Sequence, residues 1–124
     1  MIYKNLNPEI MVHYDKVTNL AYLNELAKGD TAFIAEMITI FLEENPEEIK
    51  TLEAAIQENQ FEDIKSISHH MKSTIPFVGI DLLIGKDLLD IEKLAAEKTG
   101  LDHIKILFEN VKTICEKSYD ELKH

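Results

Sequence analysis

The chain has 124 residues, with 23 acidic side chains against 13 basic and a formal net charge of −10. That length suits one domain burying roughly two-thirds of its unfolded surface, and the charge argues against nucleic acid or anionic membrane as principal partner. One cysteine cannot form an internal disulfide or a Cys-rich zinc site, no apolar run approaches the roughly 18 residues of a membrane span, and MIYKNLNPEI lacks the basic start and apolar run of a signal peptide, so a cytoplasmic protein is expected.

Residues 1–17 carry no clear period, although Ile10, Met11 and Val12 are apolar. Thr18 is placed to cap a short helix near 19–28, in which Leu20, Leu23, Leu26 and Ala27 recur at helical spacing before Gly29. Asp30 is the next capping candidate. Phe33, Ile34, Met37, Ile38, Phe41 and Leu42 form a wide apolar stripe, continued by Ile49, Leu52, Ala55 and Ile56. Between them Asn45-Pro46 reads as a cap and first helical residue, so 31–58 is either one kinked helix or two. A further helix starts at Asn59 or Gln60, carries Phe61, Ile64, Ile67, Met71 and Ile75 on its apolar side, and ends by Gly79. Asp81 caps a helix with Leu83, Ile84, Leu88, Ile91 and Leu94; Gly100 stops it. Asp102 caps the last, whose Ile104, Leu107, Phe108, Val111, Ile114, Cys115, Tyr119 and Leu122 give the cleanest amphipathic pattern.

Four glycines cannot punctuate a β protein with many tight turns. The pattern predicts an all-α protein: an antiparallel up-and-down four-helix bundle over 18–124, with a short additional N-terminal helix across one end and a segment of unclear structure at 1–17.

The segment Ser66-Ile67-Ser68-His69-His70-Met71-Lys72-Ser73-Thr74 carries the unusual residues. On a helical projection the direction of Ile64, Ile67, Met71, Ile75 and Val78 must face the core. His69 points about 165° away from it, while His70 sits about 95° away, at the boundary, and is expected to be half-packed. Residues 31–63 hold nine acidic side chains and one lysine, whereas 64–80 hold none, only Lys65, Lys72 and the two histidines. This locally cationic stretch suits an anion such as a phosphoryl group. An exposed neutral imidazole can attack phosphorus and hold the group as a phosphoramidate, with lysine balancing the charge. A bundle metal site would need Glu-x-x-His motifs on facing helices, and neither these nor His-Glu-x-x-His occurs; no metal or other cofactor is expected. A Gly-rich phosphate loop is also missing, so ATP binding is not expected. Cys115 lies on the apolar stripe and reads as a buried, inert thiol.

His69-His70-Met71-Lys72-Ser73-Thr74, followed by Phe77-Val78-Gly79-Ile80, resembles the signature of histidine-containing phosphotransfer (HPt) domains. Gly79 falls ten residues after His69, as in that family. Leu20-Ala21-Tyr22-Leu23, Gly29-Asp30, Phe33, Glu36-Met37, Phe41 and Pro46 resemble the stretch before its active helix. The resemblance covers about residues 18–95. It implies that His69 accepts the phosphoryl group, that Lys72 assists at the phosphate, and that Gly79 is structural beside the site; Lys65, from the charge pattern, and Ser73, where many members have glycine, are the further phosphate-assisting candidates. The sequence departs from the family where Ile91-Glu92 falls one residue later than the usual leucine-glutamate pair, and where no counterpart is identified for the glutamine that often bonds the imidazole.

The resemblance also implies a phosphorelay intermediate, a phosphocarrier rather than an enzyme. It would take a phosphoryl group from a receiver-domain aspartate of a hybrid histidine kinase and pass it to a response-regulator aspartate. Magnesium is expected on the partner receiver only, and the protein as a monomer. The starting methionine and compact length favour a free-standing protein. Leu23, Ile34, Met37 and His70 are candidates for receiver docking. A helical adaptor of the same fold that binds signalling partners without phosphorylation is the alternative; the presence of both His69 and Lys72 argues against it.

Overall fold

The computed structural model describes residues 16–123; the expectations for Ile10, Met11 and Val12 lie outside them. Five α-helices follow in order: α1 (Ala21–Ala27), α2 (Thr31–Gln57), α3 (Phe61–Thr74), α4 (Asp81–Ala96) and α5 (Leu101–Leu122), with a 3-10 turn (Ile75–Val78) between α3 and α4. No strand occurs among the described residues. The long helices form a closed antiparallel ring: α3 packs on α2 and α4, α4 on α5, and α5 back on α2. α1 lies across the end made by the start of α2 and the 3-10 turn. The predicted all-α bundle with an extra short helix is the observed architecture.

The apolar stripes make the core. Leu52, Ile64, Met71, Ile75, Val78, Ile80, Ile84, Leu88, Ile91, Ile104, Val111 and Cys115 are fully buried within one cluster that also takes in Val17 and Phe41. Each such aliphatic side chain contributes about 1.5–3 kcal/mol by leaving water. Ser68 shares this interior because its hydroxyl donates to the Ile64 carbonyl at 2.7 Å, which satisfies it without a partner from another helix.

Several helix ends differ from the expected capping. Asp30 caps α2 as predicted, accepting from the Phe33 amide at 3.0 Å. Thr18 does not cap α1, whose N-cap is Leu20 with no side-chain cap. The Thr18 amide and hydroxyl instead donate to Glu121 Oε1 (3.0 and 2.7 Å), and the Val17 amide donates to Glu121 Oε2 at 2.9 Å. One carboxylate in the last turn of α5 thus ties down the chain leading into α1. Asp81 is the first residue of α4 rather than its cap, and α5 starts directly after Gly100 rather than at a capping Asp102.

Asn45-Pro46 does not divide 31–58: α2 is one 27-residue helix with Pro46 inside it. Proline removes the amide that would bond the Leu42 carbonyl. The helix is held across this point from α5. Asn45 is buried and accepts a hydrogen bond from the Tyr119 hydroxyl, and the Tyr119 ring packs on Phe41 at a centroid distance of 6.0 Å.

Gly79 decides how the site end closes. Its φ is +79°, and a Cβ there would lie 2.2 Å from the Asn19 carbonyl oxygen. The Asn19 amide donates to the Val78 carbonyl at 2.9 Å. Only glycine combines the left-handed conformation with so close a pass of the chain entering α1.

Candidate functional site

His69, Lys72, Ser73 and Pro76 share the outward strip of α3 and its 3-10 extension, because spacings of three, four and seven residues return to one helix face. Met71 and Ile75 anchor the opposite face in the core. His69 is 71% exposed, as the projection predicts. His70 is 59% exposed, less than His69, and the two rings differ chiefly in their partners.

Each imidazole meets a carboxylate from a neighbouring helix. His69 Nδ1 lies 2.8 Å from Glu92 Oε2 on α4, and His70 Nδ1 bonds Glu48 Oε2 on α2. An ionised carboxylate only accepts hydrogen bonds, so in both rings Nδ1 is the donor, and in a neutral imidazole Nε2 then holds the lone pair. Glu92 is therefore the partner of the His69 ring that the sequence pattern left unidentified. Its second oxygen, Oε1, lies 2.6 Å from Lys72 Nζ. The Lys72 ammonium, with a smaller contribution from His69, holds the Glu92 carboxyl below its ordinary value against the opposing effect of burial.

α4 projects Glu92 towards α3 because Ile84, Leu88, Ile91 and Ala95 point into the core, leaving the residue after Ile91 on the seam with α3. An acid directly beside a core residue was the available signal. The one-residue offset from the family's usual position obscured it.

The surroundings of the two histidines differ in charge. Lys72 stands beside the His69 pair, whereas His70 shares a groove with Glu47, Glu48, Thr51, Ser66 and Ile67. Burial pushes the Glu48 carboxyl up, and the hydrogen bond and charge of His70 offset this only in part. The acid-free stretch 64–80 is thus not an isolated cationic patch in three dimensions, since α2 and α4 bring Glu48 and Glu92 to it.

Lys65, one turn before His69, pairs with Glu62 at 3.6 Å. The Ser73 hydroxyl donates to the His70 carbonyl at 2.6 Å, which leaves its oxygen only as an acceptor towards other groups. Of the docking candidates, Leu23 is fully buried and cannot meet a partner, because it faces inward from α1. Ile34 and Met37 are half-buried and His70 is exposed. The larger exposed apolar groups at this end are Tyr22, Leu26 and Leu82. Tyr22 packs on Phe77 at 6.2 Å, and a groove joins Tyr22, Pro76, Gly79 and Leu82. Among the described residues no helix is long and apolar enough to cross a membrane, and no three His, Cys, Asp or Glu side chains are grouped to hold a metal ion.

Comparison with the curated proteins and with the solved structures returned no match. The family model of the Hpt domain matches residues 36–113, a span that contains α3, α4, the two histidines and both carboxylate partners. The family accounts for the bundle and implies histidine phosphotransfer in two-component signalling through contact with receiver domains. With more than half of its length matched, the chain belongs to the Hpt domain family.

Proposed function

We propose that this protein is a phosphorelay intermediate in which His69 accepts a phosphoryl group from a receiver-domain aspartate and gives it to another. One observation carries the assignment to His69: an exposed imidazole whose Nδ1 is tied to Glu92, leaving Nε2 as the nucleophile with Lys72 on the same strip. Nε2 attacks phosphorus in line, the bond from phosphorus to the aspartyl oxygen breaks, and lysine draws charge from the phosphoryl oxygens. Lys65 adds positive potential from one turn away, and the Ser73 hydroxyl keeps that flank small and polar.

His70 is the obvious competitor, with the same tautomer and similar exposure. Its groove carries Glu47 and Glu48 and no lysine, so an incoming dianion is repelled there more than at His69, where Lys72 offsets Glu92. The protein supplies a positioned nucleophile and a docking surface; magnesium and the aspartate belong to the receiver, and the carrier acts as a monomer. The receiver docks over the apolar groups beside the strip, with Tyr22, Phe77 and Leu82 supplying contact and Ile34 and Met37 the edge of it.

The test is incubation with a phosphorylated receiver, followed by assay for acid-labile, base-stable phosphate. His70→Gln retains the label and His69→Gln loses it. Label that survives in His69→Gln refutes the assignment, and a wild-type chain that binds the receiver but never labels establishes the passive adaptor instead.

A further inference from the structure

Two aromatic rings at the seam between α2 and the end of α3 are each committed to a partner outside it. Phe41 packs on Tyr119 of α5 at a centroid distance of 6.0 Å, and Phe77 packs on Tyr22 of α1 at 6.2 Å. Neither ring fills the seam. A cavity of about 60 Å3 lies there, walled by Met37, Ile40, Phe41 and Phe77, with Glu44 and Glu48 also on its lining. Ile40 and Glu44 are exposed, so the cavity has its mouth on the surface.

The walls are apolar, but the two glutamates stand one helical turn apart on α2 and repel each other. Burial raises the Glu48 carboxyl, His70 offsets this in part, and the charge of Glu44 adds to the rise. Glu44 itself has no ion pair among the described residues. The cavity thus joins an apolar wall to a surplus of negative charge.

We propose that this cavity binds a short unbranched primary amine as its ammonium ion, and that the bound amine competes with receiver docking through Met37 and Phe77. The competition rests on the phosphocarrier reading above; the binding site does not.

Size selects a chain over a ring. An apolar cavity of about 150 Å3 holds benzene, so one of about 60 Å3 suits an unbranched chain of about three or four carbons. Charge selects the head group. An ammonium ion offers three N–H donors, enough for both carboxylates, and its charge relieves their repulsion. A neutral alcohol of the same length fills the same walls and leaves that repulsion in place, and an anion is repelled.

Occupancy reaches the transfer face through shared side chains. Phe77 is both a wall of the cavity and the partner of Tyr22, and Met37 is both a wall and an edge of the proposed docking surface. A chain seated on them covers apolar surface that a receiver would need. Glu48 also lines the His70 groove and bonds His70 Nδ1, so an ammonium ion that draws on Glu48 is felt at that ring.

The experiment is titration of the full 15N-labelled chain with n-butylammonium chloride at constant ionic strength, with potassium chloride and 1-butanol as controls. Saturable shifts at the cavity residues and the His70 ring are expected, with 1-butanol at least about threefold weaker, the scale of one partly exposed ion pair. Glu44→Gln weakens amine binding about threefold and Glu44→Gln/Glu48→Gln about tenfold, each variant first checked for a native melting transition. Ile40→Phe, at an exposed wall position, fills the cavity and weakens binding with both carboxylates intact, which keeps the test decisive if a glutamate variant fails to fold. Shifts that do not saturate, shifts reproduced by potassium chloride, or equal binding of 1-butanol overturn the site. Transfer from a phosphorylated receiver slows as the amine saturates, while labelling of His69 by phosphoramidate continues; transfer unchanged at saturating amine overturns the competition. A chain that binds no amine yet loses receiver transfer in Glu44→Gln assigns the cavity to a basic side chain of the receiver and overturns the proposal. A chain that phosphoramidate cannot label overturns the carrier reading, and the amine titration still decides the site.

Discussion

Gly79→Ala tests whether the site end is closed by backbone contact. The added Cβ would stand 2.2 Å from the Asn19 carbonyl oxygen, 2.7 Å from its Cβ and 2.8 Å from its amide nitrogen. None of these is the far end of a flexible side chain, so the segment entering α1 has to move as a unit. The left-handed φ of +79° alone costs an L residue about 1–2 kcal/mol. Displacing residue 19 also weakens its hydrogen bond to the Val78 carbonyl, a net loss of about 0.5–1.5 kcal/mol. The sum is about 1.5–3.5 kcal/mol, or a fall in Tm of about 5–17 °C for a domain of this size. Urea and thermal melts followed by circular dichroism measure it. Because α3 and α4 keep their own contacts, phosphorylation of His69 by a small donor is expected to persist, while transfer from a receiver docked on the proposed surface beside α1 is expected to slow. A loss of stability below about 1 kcal/mol would refute the close-approach argument.

Three further outcomes follow from other parts of the molecule. Burial raises the Glu121 carboxyl, but hydrogen bonds from Thr18 and Val17 outweigh it and leave it below its ordinary value of 4.5; its contribution is therefore full above about that pH and lost as pH falls through the lowered value, and Glu121→Gln flattens that part of a stability–pH curve. Leu23→Ala lowers stability by about 2–5 kcal/mol in a urea melt, whereas Tyr22→Ala and Leu82→Ala leave the melt within about 1 kcal/mol and slow receiver transfer; a transfer rate unchanged in both exposed variants removes them from the docking surface. Burial pushes the Cys115 thiol up to about 12, so iodoacetamide labels it only at the rate of global unfolding, and rapid labelling of the native protein would contradict its place in the core.

The fold and the exposure of His69 were largely readable along the chain, for local reasons. Apolar residues at three- and four-residue spacing define which face of each helix must leave water, and that placed Met71 inside and His69 outside. Capping was less readable. Asp30 caps as expected because its partner is three residues away, but Thr18 is taken by Glu121, which lies 103 residues later. Asn45-Pro46 resembles a helix start, yet a tyrosine from α5 occupies the asparagine and the helix runs on. In both cases a long-range contact displaced a local preference.

The same division separates the candidate histidine from its environment. The amino-acid order determines that a histidine and a lysine share an exposed helical strip within an acid-free run of seventeen residues, because helical periodicity is a property of adjacent positions. Only the packing of α2 and α4 against α3 decides that both imidazoles have carboxylate partners, which ring nitrogen of His69 faces one and where Lys72 rests. Those depend on helix register across an interface, where the seam position next to Ile91 outweighs the one-residue offset in the sequence.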